Sequence, residues 1–201
     1  MVQASRIAEI MINRKYPSDQ IQKLVKQVII GVGENLERDG LKETPRRVAK
    51  AYQELLSGYS QDPEATVKLF DSNGFHELVT IGDIEFYSLC EHHMLPFFGK
   101  VHIGYVPNGK ILGLSKFARI VEIYSKRLQT QENLTKQIFD LISKKASPKG
   151  LIVLIEAKHL CVSMRGIKNS SFITKTVLKK GLLKTRQDLF RQFYKDIEKL
   201  G

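Results

Sequence analysis

No stretch of the 201 residues stays apolar for long enough to cross a bilayer: the longest purely aliphatic run is Leu151 to Ile155, far short of the ~18 residues a span requires. The opening residues, M-V-Q-A-S-R-I-A-E-I, hold no charged segment followed by an apolar block. No secretory signal is therefore expected, and the cytoplasm is the expected location. Cysteine is scarce, with only Cys90 and Cys161. In a reducing compartment such a pair reads as thiols or metal ligands before it reads as a disulfide, although composition alone leaves the disulfide open. Aromatic residues make up 8% of the chain and are not interleaved with basic ones into a single-strand platform, and no DNA-reading motif is present. There is no internal repeat and no low-complexity linker.

What is present is 42% hydrophobic residues, enough for a sizeable core, and a net charge of +11 from 32 basic and 21 acidic side chains. That balance points to anionic partners: nucleic acid, phosphorylated metabolites or acidic lipid. One compact unit is expected, with a helical N-terminal region over 1–60 and a catalytic region over 61–201.

Taken in order, Ile7, Ile10 and Met11 have helical spacing. After Ser18, a candidate N-cap, the positions Ile21, Leu24, Val25, Val28, Ile29, Val32 and Leu36 form one helical face, weakened by Gly31 and Gly33. Thr44-Pro45 starts another helix, since threonine can cap and proline is tolerated in the first turn. Its stripe is Val48, Ala51, Tyr52, Leu55 and Leu56, and Arg47 and Lys50 are neighbours on its surface. From Ala65 the period changes to alternation broken by Gly, Asn and Pro. Residues 67–70, 78–89, 100–106 and 111–114 read as strands, with His102 on the polar side of its strand. Ser115 is expected to cap a helix containing Ile120, Val121 and Tyr124, and a second helix carries Leu134, Ile138, Leu141 and Ile142. Strands follow over 151–157, 159–164 and 172–178. Thr185 to Asp188 resembles a capping box before a closing amphipathic helix with Leu189, Phe190, Phe193, Ile197 and Leu200. The class is α+β, antiparallel strands segregated from helices.

The chemistry concentrates in S-L-C-E-H-H-M-L-P-F-F, residues 88–98, and in H-L-C at 159–161. Cys90, one of His92 and His93, and Cys161 make a thiolate and imidazole set suited to zinc, three ligands with a fourth position left over. Adjacent strand residues face opposite ways, so a regular strand would not offer both histidines, and a bend near Pro96 can re-aim either ring. Ser115, Lys116 and Arg119 lie in one first turn, where free N–H groups favour an anion. Arg165 is a further cation just beyond Cys161. Glu132, next to Gln131 at a helix start, either serves the helix dipole or accepts the ring N–H and amino group of guanine.

Five blocks carry a resemblance: T-P-x-R-V-A-K at 44–50, C-E-H-H at 90–93, G-L-S-K at 113–116 with Arg119, Q-x-x-L-T at 131–135, and H-x-C-x-x-x-R-G at 159–166. Together they resemble GTP cyclohydrolase I of the zinc-dependent type, over about Ile21 to Arg191. The resemblance implies a tunnelling fold, in which antiparallel sheets of several subunits join into a barrel with helices packed on one side, assembled as a decamer of two pentamers with active sites between subunits. It implies Zn2+ on Cys90, His93 and Cys161, with His92 and His159 as proton-transfer groups. It also implies GTP as substrate, guanine held by Gln131 and Glu132, and triphosphate held by Ser115, Lys116, Arg119 and Arg165, with Lys50 and Arg47 supplied by a neighbouring subunit. The implied reaction is attack of zinc-activated water at C8 of the purine, ring opening, loss of formate and closure to 7,8-dihydroneopterin triphosphate. No nucleic acid and no membrane are expected as partners. Asn133 after Glu132, Glu43 before Thr44 and Leu160 between His159 and Cys161 depart from or vary within the family pattern without removing a functional group. A zinc-stabilised nucleic-acid module, and a tunnelling-fold relative acting on another purine or pterin, are the competing readings.

Overall fold

The computed structural model describes residues 16–169 and 171–199, so the helix expected at Ile7 to Met11 lies outside the described residues. The chain divides into two compact units, one ending at Gln61 and one starting at Asp62.

In the first unit, helix α1 (Ser18–Gly31) packs against helix α2 (Thr44–Leu55), followed by a 3-10 turn (Ser57–Ser60). Ser18 is the first residue of α1 rather than its cap, and its hydroxyl accepts from Gln22 Nε2 at 3.2 Å. The helix stops at Gly31, so Leu36 does not extend its face. Ile29 is buried whereas Leu24 and Val28 are exposed. Pro45 sits in the first turn of α2, where its missing N–H costs nothing. Thr44 does not cap that turn; its hydroxyl donates back to Gly40 O at 3.2 Å.

The second unit is built on a five-stranded sheet in the order β5-β2-β3-β6-β7, with strands β2 (Val79–Cys90), β3 (Pro96–Val106), β5 (Leu128–Gln129), β6 (Gly150–His159) and β7 (Thr174–Gly181). A separate pair joins β1 (Leu69–Asp71) to β4 (Lys110–Leu112). All pairings in the large sheet are antiparallel except the short β2–β5 contact. Helix α3 (Leu114–Ser125) and helix α4 (Gln131–Ala146) lie on one face. There Phe117, Ile120, Val121, Leu134 and Ile138 meet Val101, Ile103, Tyr105, Leu151, Val153 and Ile155 in one core. The closing elements, helix α6 (Leu182–Thr185) and helix α7 (Gln187–Glu198), put Leu183, Phe193 and Ile197 against Val106, Ile152 and Leu154. Alternate residues of β6 therefore enter two different cores, which is why 151–155 reads as an unbroken apolar run. Gly104 makes room for the second core, since a Cβ there would lie 2.6 Å from the Phe193 ring. This is the α+β arrangement of the tunnelling fold, with its curled antiparallel sheet.

Several ends differ from the sequence expectation. Strand β6 stops at His159, and residues expected to continue as a strand instead form one helical turn, α5 (Leu160–Ser163), which brings Cys161 round beneath the strand end. Gly113, not Ser115, precedes α3, and Ser115 is its second residue. Asp188 pairs with Arg186 rather than closing a capping box. Helix α4 is capped by Thr130, whose hydroxyl accepts from Asn133 N at 3.1 Å. Glu64 is bonded by both Lys144 and Lys145, at 2.8 and 2.7 Å, and these hold its carboxyl down at about 2.

His102 is buried, not on a wet face. It stands opposite a bulge in β2 between Ile81 and Ile84, where Asp83 adopts a positive φ of 56° and its N–H donates to His102 Nδ1 at 3.3 Å. Burial lowers the His102 pKa from its usual 6.5, and Lys100 and Lys175 add to that against the opposing pull of Asp83 and Glu156. A group whose folded pKa is depressed contributes its full stability above the unfolded value and loses it as pH falls toward the folded one. The thermal midpoint of the native chain should therefore fall more steeply below about pH 6.5 than that of His102→Asn, which retains an acceptor for Asp83 N–H but does not titrate. Parallel midpoints between pH 7.5 and 5.5, measured by circular dichroism, would show that His102 carries no such burden.

Candidate metal centre

Strand β2 ends at Cys90 and the chain turns at once. Met94 N donates to Cys90 O at 2.8 Å and Cys90 N to Leu95 O at 2.9 Å, while Met94 takes a positive φ of 54°. Glu91, His92 and His93 are thus in a turn, so strand alternation does not decide between the two histidines. The turn is pinned from the side by Glu91 N donating to Gln129 O at 3.0 Å.

One ligand atom from each of Cys90, His93 and Cys161 falls within 4.8 Å of the others. Two sulfurs and an imidazole nitrogen that close can be reached by one ion with Zn–S of ~2.3 Å and Zn–N of ~2.0 Å. Both cysteines are free thiols. Burial pushes the Cys161 thiol up, and the adjoining Cys90 pushes it further, against a smaller opposing pull from Arg165. Two thiols this close, one of them raised by burial and by its neighbour, are a donor set that a divalent cation would relieve. The set fits a metal ion, and its softness is compatible with zinc.

His92 is exposed beside the group, with Nδ1 3.7 Å from Cys90 Sγ and its ring edge-on to His93 at 6.2 Å. His159, the last residue of β6, lies flat against Phe97, the ring centroids 4.8 Å apart and the planes 4° from parallel. Its pKa is lowered by burial, with Glu132 acting in the opposite sense. His159 Nε2 is 2.8 Å from Gln131 Oε1.

Gln131 and Glu132 open α4 but face different surroundings. Glu132 is exposed, whereas Gln131 is 1% exposed and its amide is bonded within the fold. Gln131 Nε2 donates to Ile155 O at 3.0 Å, Thr174 O at 3.0 Å and Thr176 Oγ1 at 3.1 Å. Of the two side chains expected at the guanine, the carboxylate is exposed and the amide is engaged within the fold. Gln129, Asn133 and Gln137 form a second amide cluster, with Gln129 donating to Gln137 Oε1 and accepting from Asn133 Nδ2, both at 2.8 Å. It braces the β5 residue that pins the Cys90 turn, and nothing in local sequence pattern signals it.

Ser115 and Arg119 are exposed and Lys116 half-buried in the first turns of α3, and Arg165 is exposed beyond α5. Arg47 and Lys50 are exposed on α2 of the first unit. Among the described residues, Lys116, Arg119, Arg165, Arg47 and Lys50 have no ion-pair partner, whereas Lys100, Lys126, Lys136, Lys144, Lys145 and Lys175 are each paired with a carboxylate. A pocket of about 350 Å³ is lined by Phe98, Gly99, Lys100, Glu156, Ala157, Lys158 and Ile173, none of them a residue of the Cys-His-Cys group.

The family description "GTP cyclohydrolase I" matches residues 21–198. The chain is 46% identical over 180 residues to GTP cyclohydrolase 1 of Clostridium kluyveri, covering 90% of this chain and 97% of that protein. It is 45% identical to GTP cyclohydrolase 1 of Chlorobium chlorochromatii, covering 90% and 82%, and 48% identical over 167 residues to that of Streptococcus agalactiae, covering 83% and 89%. A match across almost the whole chain, joined to a Cys-His-Cys group at the strand ends, leads to one conclusion: this chain belongs to the GTP cyclohydrolase I family.

Proposed function

We propose that this protein hydrolyses GTP at C8 of the purine, releasing formate and forming 7,8-dihydroneopterin triphosphate, the entry to folate and pterin synthesis. The observation that carries the reading is the convergence of Cys90, His93 and Cys161 beside two histidines outside the ligand set. Zinc held there would supply polarisation and activation of water at neutral pH. His92, exposed on the turn, is placed to give a proton to the imidazole nitrogen of the purine, and His159 to move protons in ring opening and at the ribose. Glu132 presents the carboxylate that pairs with the guanine N1–H and amino group. Gln131 supports the same end of α4 from beneath.

Ser115, Lys116 and Arg119 in the first turns of α3, with Arg165, form the triphosphate site. Their lack of carboxylate partners among the described residues supports this, since a cation already paired would have to break that pair first. Arg47 and Lys50 are assigned to the same phosphates from a neighbouring subunit. Assembly into a decamer is supported by the sheet edges. Strand β7 has no outer partner among the described residues and exposes Val177 and Leu178, and β5 pairs only with Leu89 and Cys90 of β2. Long open edges are normally paired or covered. Among the described residues no helix is long and apolar enough to cross a membrane, and the cytoplasm is the proposed location.

Purified protein should hold about one zinc per chain, and Cys161→Ala should lose both the metal and formate release from GTP. Full turnover by metal-free Cys161→Ala would remove the metal from the reaction. Glu132→Gln should keep the native thermal midpoint yet lower kcat/KM for GTP by roughly 10²-fold or more, because a site built around a hydrogen-bonding partner is left with a mismatched group. Unchanged turnover, followed by pterin fluorescence after oxidation, would take Glu132 out of guanine recognition.

A further inference from the structure

We propose that Gln131 is a positioning residue that holds His159 in the tautomer with its proton on Nε2, so that Nδ1 is the ring atom that takes and returns protons. The inference rests on the reading of His159 as a proton-transfer group. It does not follow from the position of Gln131 beside Glu132, which suggests a second contact to the base.

Donor and acceptor accounting fixes the direction of every bond in the cluster. Backbone carbonyls only accept, and Ile155 O and Thr174 O both lie 3.0 Å from the Gln131 amide. The NH2 group must face them. With the amide reversed, its oxygen would meet two carbonyl oxygens, and buried acceptors left facing one another are costly. Thr135 spends its one hydroxyl proton on Gln131 O at 2.7 Å. The 2.7 Å contact between Thr135 and Thr176 is then donated by Thr176. That leaves a Thr176 lone pair to accept from Gln131 Nε2 at 3.1 Å, the two amide protons being shared among this hydroxyl and the two carbonyls. With the nitrogen fixed, Oε1 is the atom 2.8 Å from His159 Nε2. An amide oxygen cannot donate, so the ring nitrogen does, and in a neutral imidazole the lone pair is then on Nδ1.

The surroundings keep the arrangement in place. Gln131 is 1% exposed, so water does not compete for its amide. Phe97 is stacked on the imidazole and holds the plane of the ring. The cluster draws on α4, β6 and β7 together, so the tautomer is set by sheet pairing rather than by residues next to His159 in sequence. A proton taken at Nδ1 converts the ring to imidazolium, in which Nε2–H remains on Gln131 Oε1 as a charge-assisted bond. Loss of that same proton from Nδ1 restores the resting ring, and Gln131 exchanges no proton at any point.

The test uses zinc-loaded full-length protein labelled with 15N-histidine and magic-angle-spinning NMR, with His159 assigned by subtraction of the His159→Asn spectrum. The expected result is a neutral ring protonated at Nε2 and bare at Nδ1, with a second tautomer emerging in Gln131→Leu. Thr176→Val, which removes only one of three acceptors, should retain the native signature. Gln131→Leu should lower kcat for GTP roughly 10²-fold with KM within about two-fold, whereas loss of a direct base contact would raise KM. A wild-type ring protonated at Nδ1, an unchanged tautomer in Gln131→Leu, or a KM-dominated loss would each overturn the proposal. If Gln131→Leu does not fold, the wild-type spectrum still decides it. Formate release by His159→Asn judges the underlying reading separately: full turnover there would remove His159 from the reaction while leaving the tautomer result standing.

Discussion

The candidate site depends first on the double pairing of β3. That strand is hydrogen-bonded to β2 on one side and to β6 on the other, and at Phe97 the ladder reads Ser88, Phe97, His159 across three strands. Everything chemical hangs from this row. Cys90 follows Ser88 at the end of β2, Cys161 follows His159 beyond the end of β6, and the Phe97 ring is stacked on His159. A slip of one residue in either pairing would turn His159 to the other face and separate the two cysteines, because side chains alternate along a strand. The register is in turn enforced by the apolar residues further along β3 and β6, which enter two cores at once and leave no alternative pairing with both faces buried. Packing far from the metal group is therefore what keeps the metal group together.

Elements with a strong period were legible in the sequence. Proline in the first turn of α2, the alternation of β2, and the stripes of α4 and α7 needed only local rules, and the α+β class follows from them. Junctions were not legible. The sequence after His159 alternates well enough for a strand, yet it turns into α5, because the sheet has no further partner for it there and the turn brings Cys161 back toward Cys90. The bulge at Asp83 is stabilised by His102 from the neighbouring strand, a contact that no local window contains. Strand alternation was the wrong tool for His92 and His93, since the strand ends two residues before the first of them.

The site residues divide along the same line. Cysteines and paired histidines announce themselves by type and spacing. Glu132 and Gln131 look alike in sequence, both polar and both at a helix start, and only the fold separates them. One side chain points to open space, and the other is surrounded by two backbone carbonyls, a threonine hydroxyl and an imidazole. Burial is the discriminating quantity, and it is a property of β6 and β7 rather than of α4.

Charge shows a comparable division. The excess of +11 on its own is compatible with nucleic acid, membrane or metabolite, and its distribution is more informative than its size. Lys100 and Lys175 on the sheet are matched by a carboxylate on the neighbouring strand, Lys136 by one a turn along α4, and Lys144 and Lys145 by Glu64 from the loop before β1, pairs that add little stability at exposed positions. The cations of α3 and the loop after α5 have no such match among the described residues. A long polymeric anion would be served by a continuous basic stripe along the surface. What one chain presents instead is two separate places: Lys116 and Arg119 begin α3 at the Val106 end of the sheet, whereas Arg165 lies beyond β6 at the end that holds the Cys-His-Cys group and is felt by the Cys161 thiol. The α3 cations and the metal group would serve one compact anion only where copies of the chain bring the start of α3 in one to the strand ends of another, which is what the proposed assembly would supply.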